Sequence, residues 1–241
     1  MIDFTNLFDR YARKARLYPA LLTLFPVFVT VLILFPMVYE SIGSAIVYLA
    51  IGCGVLLFLA SIARYLGRKK EQQLYDLWGG KPTTVWLRHS DRNLDAVTKQ
   101  RYHAFLSKHV PDLKLPTPSE ETASPISADD YYESAVKWLL EYTRDNKKYP
   151  LVFEENINYA FHRNILALKP IAIAINLICI GGILLNTYFQ HHMLTFTDIR
   201  DVAALSIPLA MLLFWVFLVS PDWVKSIAYA YAQALFASCD K

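Results

Sequence analysis

Four stretches of this chain carry no Lys, Arg, Asp or Glu: Leu17 to Tyr39 over 23 residues, Ala45 to Ala63 over 19, Ile171 to Thr197 over 27, and Val202 to Pro221 over 20. A helix needs about 20 apolar residues to cross a hydrocarbon core of about 30 Å, because it rises only about 1.5 Å per residue. A helix of a soluble core keeps charged residues on its solvent face every few positions. Four exceptions within 241 residues exclude an ordinary soluble domain. The first stretch is also longer than the ~7–15 apolar residues of a cleavable signal core, and the second follows almost at once. With 55% hydrophobic residues the chain is too apolar to stay disordered, and its 3 cysteines cannot frame a disulfide scaffold.

The expected fold class is therefore all-α. It is a polytopic membrane protein with four transmembrane helices in a two-plus-two arrangement and a helical cytosolic domain between the second and third. The expected segments are a basic N-terminal segment 1–16, a hairpin 17–63 (spans 17–39 and 45–63), the domain 64–169, a second hairpin 170–220 (spans 171–189 and 202–220) and an amphipathic tail 221–241. Basic residues resist translocation. Of the 24 Lys and Arg, 4 precede the first span, 17 lie between Arg64 and Lys169, 2 are in the tail, and only Arg200 falls in a loop assigned to the far side. Both termini and the central domain should therefore face the cytoplasm.

Within the domain the periodicity is helical. Glu71 to Trp78 continues the second span and stops at Gly79 and Gly80. Leu94, Val97, Tyr102, Phe105, Leu106 and Val110 recur at three- and four-residue steps, with Asn93 or Asp95 as the cap. A proline-rich loop holds Pro111, Pro116, Pro118 and Pro125. Ser127 and Asp130 then suggest a capping box, opening a helix whose buried stripe runs Tyr132, Val136, Leu139, Leu140 and Thr143. Phe153 to Leu168 reads as a further helix, separated from the third span by Pro170. Thr83 to Leu87 has strand character but no partner strand.

No pattern for catalysis stands out. Gly79 to Thr84 (GGKPTT) superficially resembles a phosphate loop, but Pro82 follows the lysine and a helix precedes the glycines. The six histidines form neither HExxH nor a zinc spacing, and His191-His192 reads as interfacial polar surface. No catalytic residue, metal site or cofactor is expected.

The polar concentration that remains is a candidate ligand site. Lys81, Arg88, His89, Arg92, Lys99 and Arg101 cluster with Trp78, Trp86 and Tyr102, and Asn156, Tyr159 and Arg163 share one helical face. Guanidinium, amide and aromatic groups together can pair with phosphates, bond base edges and stack on rings. The same residues could instead contact anionic lipid heads, or be solvated and paired with Asp91, Asp95 and Glu155. In the third span Asn176, Ile183 and Thr187 share a face that either lines a pore in an oligomer or packs helices together. No span holds an Asp, Glu, Lys or Arg, which disfavours coupled transport.

Asp76 to Thr84 (DLWGGKPTT) with Leu87 to Asp91 (LRHSD), and Phe153 to Tyr159 (FEENINY), resemble two blocks of small bacterial inner-membrane proteins. With the two-plus-two spans, the chain is similar to the transmembrane α-helical effectors of bacterial anti-phage defence, of the type in the Hailong system. The resemblance implies an oligomeric gated channel, a tetramer by expectation. It also implies a partner nucleotidyltransferase whose oligonucleotide product holds the channel closed until infection. The competing readings are a membrane scaffold docking a cytosolic protein, and, with less support, a membrane-bound enzyme. A reporter fused near position 120 should report the cytoplasm, and the chain should leave the membrane fraction only with detergent; a periplasmic reporter would overturn the topology.

Overall fold

A computed structural model describes residues 9–38, 40–191 and 199–240, apart from the side chains of Pro36 and His191. Residues 1–8 of the basic segment, Tyr39 at the end of the first expected span, and residues 192–198 with His192 lie outside the described residues, so the His191-His192 reading is not addressed. The described residues are helical, with no strand. They form α1 (Arg10–Leu34), α2 (Ile42–Trp78), α3 (Pro82–Val85), α4 (Ala96–His109), α5 (Pro118–Ala123), α6 (Pro125–Tyr142), α7 (Pro150–His191), α8 (Ile199–Leu218) and α9 (Pro221–Phe236). α1, α2, α7 and α8 are long and apolar enough to cross a membrane. Large apolar side chains such as Ile42, Phe58, Ile178 and Phe217 stand fully outward on them, as lipid-facing residues do.

The chain divides into two compact units. One takes the described residues up to Lys70 together with Ala160–Trp223, and the other takes Glu71–Tyr159 with the residues from Val224 onward. The first contains the four spans. Its helices pack through small and branched residues, with Ala20, Leu24, Leu59, Ala60, Ala63 and Leu168 in one buried cluster. Small side chains let backbones approach closely where lipid offers no hydrophobic gain.

Two short π-helical segments interrupt this unit, Arg13–Leu17 in α1 and Phe214–Leu218 in α8. Such segments leave carbonyls without their usual i+4 donor. Pro19 adds to the deficit, since it has no N–H to offer the carbonyl of Ala15. The Asn164 amide on α7 makes good the loss, donating from Nδ2 to the Ala15 oxygen at 2.6 Å. Five residues further along α7, Lys169 Nζ donates to the carbonyls of Val216 (3.0 Å) and Val219 (2.8 Å) at the end of α8. A cation there also complements the negative end of the helix dipole. Gly67 on α2 completes the first junction: a Cβ at that position would overlap Asn164 Oδ1.

The second unit is a helical module. Leu106, Tyr132, Ala135 and Leu139 meet Trp86, Leu87 and Tyr149 in one core, joined by Ala232, Leu235 and Phe236 of α9. Ala232, Leu235 and Phe236 of the expected amphipathic tail thus pack into this module's core. α2 ends at a Schellman-type stop, where Gly80 N–H bonds the Tyr75 carbonyl at 2.8 Å and both Gly79 (φ 77°) and Gly80 (φ 135°) take the left-handed conformation.

Several local expectations change. α7 runs through Pro170 without a break, because a membrane helix loses a single bond there and packing holds both turns. Thr83 to Leu87 forms the short helix α3 and a turn. The helix expected from Ser127 begins at Pro125, and the capping box lies earlier, between Thr117 and Glu120. Leu140 and Val97 are exposed rather than buried.

Replacing Gly67 by Ala should lower the thermal midpoint in detergent, by overpacking of about 1–3 kcal/mol. Combined with Asn164→Ala it should cost less than the two single changes added together, since the clash and its partner disappear together. Strict additivity would mean that the two side chains do not meet.

Candidate functional site

The turn after α3 is the most heavily braced polar segment of the helical module. Its backbone groups at Leu87, Arg88, His89, Ser90 and Asp91 bond side chains of α4 and α5. Glu121 on α5 is the centre: its carboxylate accepts from His89 N–H (2.7 Å), Ser90 N–H (3.1 Å), Ser90 Oγ (2.9 Å) and the Tyr132 hydroxyl (2.7 Å). Glu121 is buried, at 7% exposure, and burial alone would raise its pKa. The donors from Tyr132, His89 and Ser90 outweigh that and hold it down at about 2. Tyr132 shifts upward, through its own burial and then through the adjacent carboxylate.

Lys99 closes the turn from α4. Its Nζ donates to the carbonyls of Arg88 (2.5 Å) and Asp91 (2.6 Å), and burial shifts its pKa downward. His103 Nε2 donates to the Leu87 carbonyl at 2.8 Å, and His89 Nε2 to the Pro116 carbonyl at 2.9 Å; the two rings meet edge to face at 5.0 Å. Burial lowers the His103 pKa, partly offset by its bond to the Leu87 carbonyl, with His89 and Lys99 adding to the downward shift. At the start of α4, Asp95 is the cap, accepting from Thr98 N–H, while Asn93 bonds Asp91 instead.

Beside this turn opens a cleft of about 610 Å³ lined by His89, Asp91, Arg92, Leu94, Lys99 and His103, among others. Its size lies within the range of about 300–1,000 Å³ typical of small-molecule sites.

The candidate ligand residues differ in what already engages them. Lys81 pairs with Glu133 at 2.8 Å, and Arg88 grips Asp129 with two bonds of 2.8 and 2.6 Å while donating to the Gly79 carbonyl. Arg101 pairs with Asp240 near the C-terminal end at 2.7 and 3.1 Å. These three cations are already engaged by carboxylates distant in sequence. His89 and Arg92 line the cleft, and Arg92 is exposed with no hydrogen bond or ion pair among the described residues. Tyr159 is buried, stacked on Tyr231 and bonded to the Tyr75 hydroxyl, and Asn156 is half-buried on the same helix. Arg163 belongs to the span-bearing unit, where it lies beside Gly67.

In that unit Asn176, Ile183 and Thr187 are all buried inside a single chain, at 0%, 0% and 1% exposure. Asn176 Nδ2 bonds the Ala172 carbonyl at 2.8 Å. The face they share is occupied by packing within one copy, and a pore would have to be lined by other faces.

Glu121, Asp129 and Asp240 are not legible as site residues in the sequence. Their signal is weak there: each is one acid among many, selected only by contacts across 11 to 139 positions. Among the described residues no group of three metal-ligating side chains gathers. Set against known protein families, curated proteins and solved structures, the chain matches none.

Glu121 is pulled below its ordinary value, so it stabilises the fold above pH of about 4.5, and that contribution is lost as pH falls toward about 2. Glu121→Gln should cost about 1–3 kcal/mol and remove the acid-sensitive protection of residues 86–95 in hydrogen exchange. Unchanged protection in the variant at pH 7 would show that the carboxylate does not hold the turn.

Proposed function

We propose that this chain is an oligomeric inner-membrane effector with a channel-like pore, gated by a nucleotide or oligonucleotide signal bound at its helical module in bacterial anti-phage defence. The reading carries over from the sequence resemblance. It includes a cytoplasmic position for both termini and the module, a non-enzymatic role for the chain itself, and a partner nucleotidyltransferase that supplies the signal. The observation that carries it in the structure is the nucleotide-sized cleft at the braced turn, where Arg92 is the exposed cation and the His89 and His103 rings form part of the wall. A guanidinium can take phosphate oxygens bidentately while rings accept a base.

Two features of the span-bearing unit support assembly of several copies. The second span is only 11% buried within one chain, the least of the four. Gly54, Gly181 and Gly182 have no atom within 4 Å of where a Cβ would stand, so their close-approach surfaces are unused by this copy. Ions would pass along faces other than that of Asn176.

A scaffold role has one observation in its favour. Val97 and Ile126 of the module stand outward at 73% and 84% exposure, as residues of a protein-docking face do. It predicts a specific protein partner and no ion flux.

Liposome-reconstituted protein should show a conductance that candidate nucleotides or single-stranded oligonucleotides modulate, and detergent-solubilised protein should be a ring of three or more copies. Arg92→Glu should weaken ligand binding about tenfold or more, equivalent to about 1.4 kcal/mol, without lowering the thermal midpoint. Arg88→Glu should instead destabilise the module, because it leaves Asp129 facing a like charge. A silent, monomeric and folded protein would overturn the channel reading.

A further inference from the structure

The basic residues nearest the spans are arranged differently from those of the helical module. From position 10 to 16 and from 64 to 70 the chain holds eight Lys and Arg and no acid. Lys81–Glu133, Arg88–Asp129, Arg101–Asp240 and Arg144–Glu141 are ion pairs between described side chains, and all lie elsewhere. Arg16, Arg64 and Arg68 take part in none of these pairs.

The helix junction sets these charges side by side. Asn164 bonds the carbonyl of Ala15 and abuts Gly67, so α1 and α2 approach closely there. Arg16 follows Ala15 in the chain, Arg68 follows Gly67, and Arg64 stands one turn before Arg68 on the same face of α2. Arg16 lies within electrostatic reach of both Arg64 and Arg68, and of Asp9. Its guanidinium also rests over the Tyr11 ring at 5.8 Å. Arg64 and Arg68 are exposed, and Arg16 is half-buried.

The depth of this cluster identifies its counter-charge. The first apolar stretch begins at Leu17 and the second ends at Ala63, so the three arginines bracket the same edge of the hydrocarbon region. That edge is where lipid phosphates lie, and juxtamembrane cations are attracted to anionic leaflets there. Planar guanidinium forks match phosphate oxygens, and long stems let the heads reach the headgroup layer. Packing of Leu17, Ala20, Ala63 and Leu66 in one apolar cluster holds the two helices that carry the arginines.

We propose that Arg16, Arg64 and Arg68 together form a binding site for the phosphate of an anionic phospholipid headgroup. Occupancy relieves the repulsion among three like charges, so the lipid stabilises the contact between α1 and α2. The site is separate from the ligand cleft and does not depend on any signal binding there.

The test compares the full-length chain in nanodiscs of phosphatidylcholine and in nanodiscs containing phosphatidylglycerol. The wild type should melt several degrees higher with phosphatidylglycerol, and an Arg16→Gln, Arg64→Gln, Arg68→Gln variant should melt at the same temperature in both. An Arg92→Glu variant should keep the full difference. Equal melting of the wild type in the two lipids, or an undiminished gain in the triple variant, overturns the proposal. So does equal stabilisation of the wild type in phosphatidylcholine by inorganic phosphate or by a single-stranded oligonucleotide, which would mark a site for soluble anions. Should the triple variant fail to fold, native mass spectrometry decides on the wild type alone. Preferential retention of phosphatidylglycerol from an equimolar lipid mixture supports the site, and equal retention overturns it.

Discussion

A backbone carbonyl buried away from water cannot be left without a donor, and Ala15 and Val219 are both fully buried. That constraint organises the span-bearing unit. Pro19 and the π-helical turn of α1 withdraw donors near Ala15, and the end of α8 exposes the carbonyls of Val216 and Val219. α7 answers both with side chains, Asn164 for the first and Lys169 for the second. The irregular turns of two helices are thereby fastened to a third, and only glycine at position 67 leaves room for the Asn164 amide.

The helical module solves a related problem with charge. Its turn after α3 turns backbone N–H groups of His89 and Ser90 toward Glu121, and backbone carbonyls of Arg88 and Asp91 toward Lys99. A buried carboxylate and a buried ammonium would each be costly alone, and the cost is offset because the carboxylate accepts four hydrogen bonds and the ammonium donates two. The Arg88–Asp129 pair then ties the turn to α6. What the bracing leaves unengaged is a cleft with Arg92 at its wall, and an unengaged cation in a concave site is what a charged ligand requires.

Much of the candidate site was hidden in the sequence for a definite reason. A run such as Lys81, Arg88, Arg92 and Arg101 shows charge but not neutralisation, and the carboxylates that engage Lys81, Arg88 and Arg101 come from Glu133, Asp129 and Asp240. These partners are 52, 41 and 139 positions away. Helix periodicity found the buried stripe of Tyr132, Val136 and Leu139 but misjudged Leu140, which sits at the stripe's edge where a small rotation decides exposure. Pro170 reads locally as a break, yet one missing hydrogen bond is tolerated inside a long packed helix.

The sequence alone settled that this chain has four helices able to cross a membrane and that the rest is helical. Charge-free length and 3.6-residue periodicity are local properties, and hydrophobic solvation acts on them without reference to other segments. Only the tertiary structure decided which cations are neutralised, that the Asn176 face is buried by its own chain, that the tail joins the module's core, and that Ala15, Gly67 and Asn164 meet. Those outcomes depend on distances between residues far apart in the chain, which packing sets and no local pattern records.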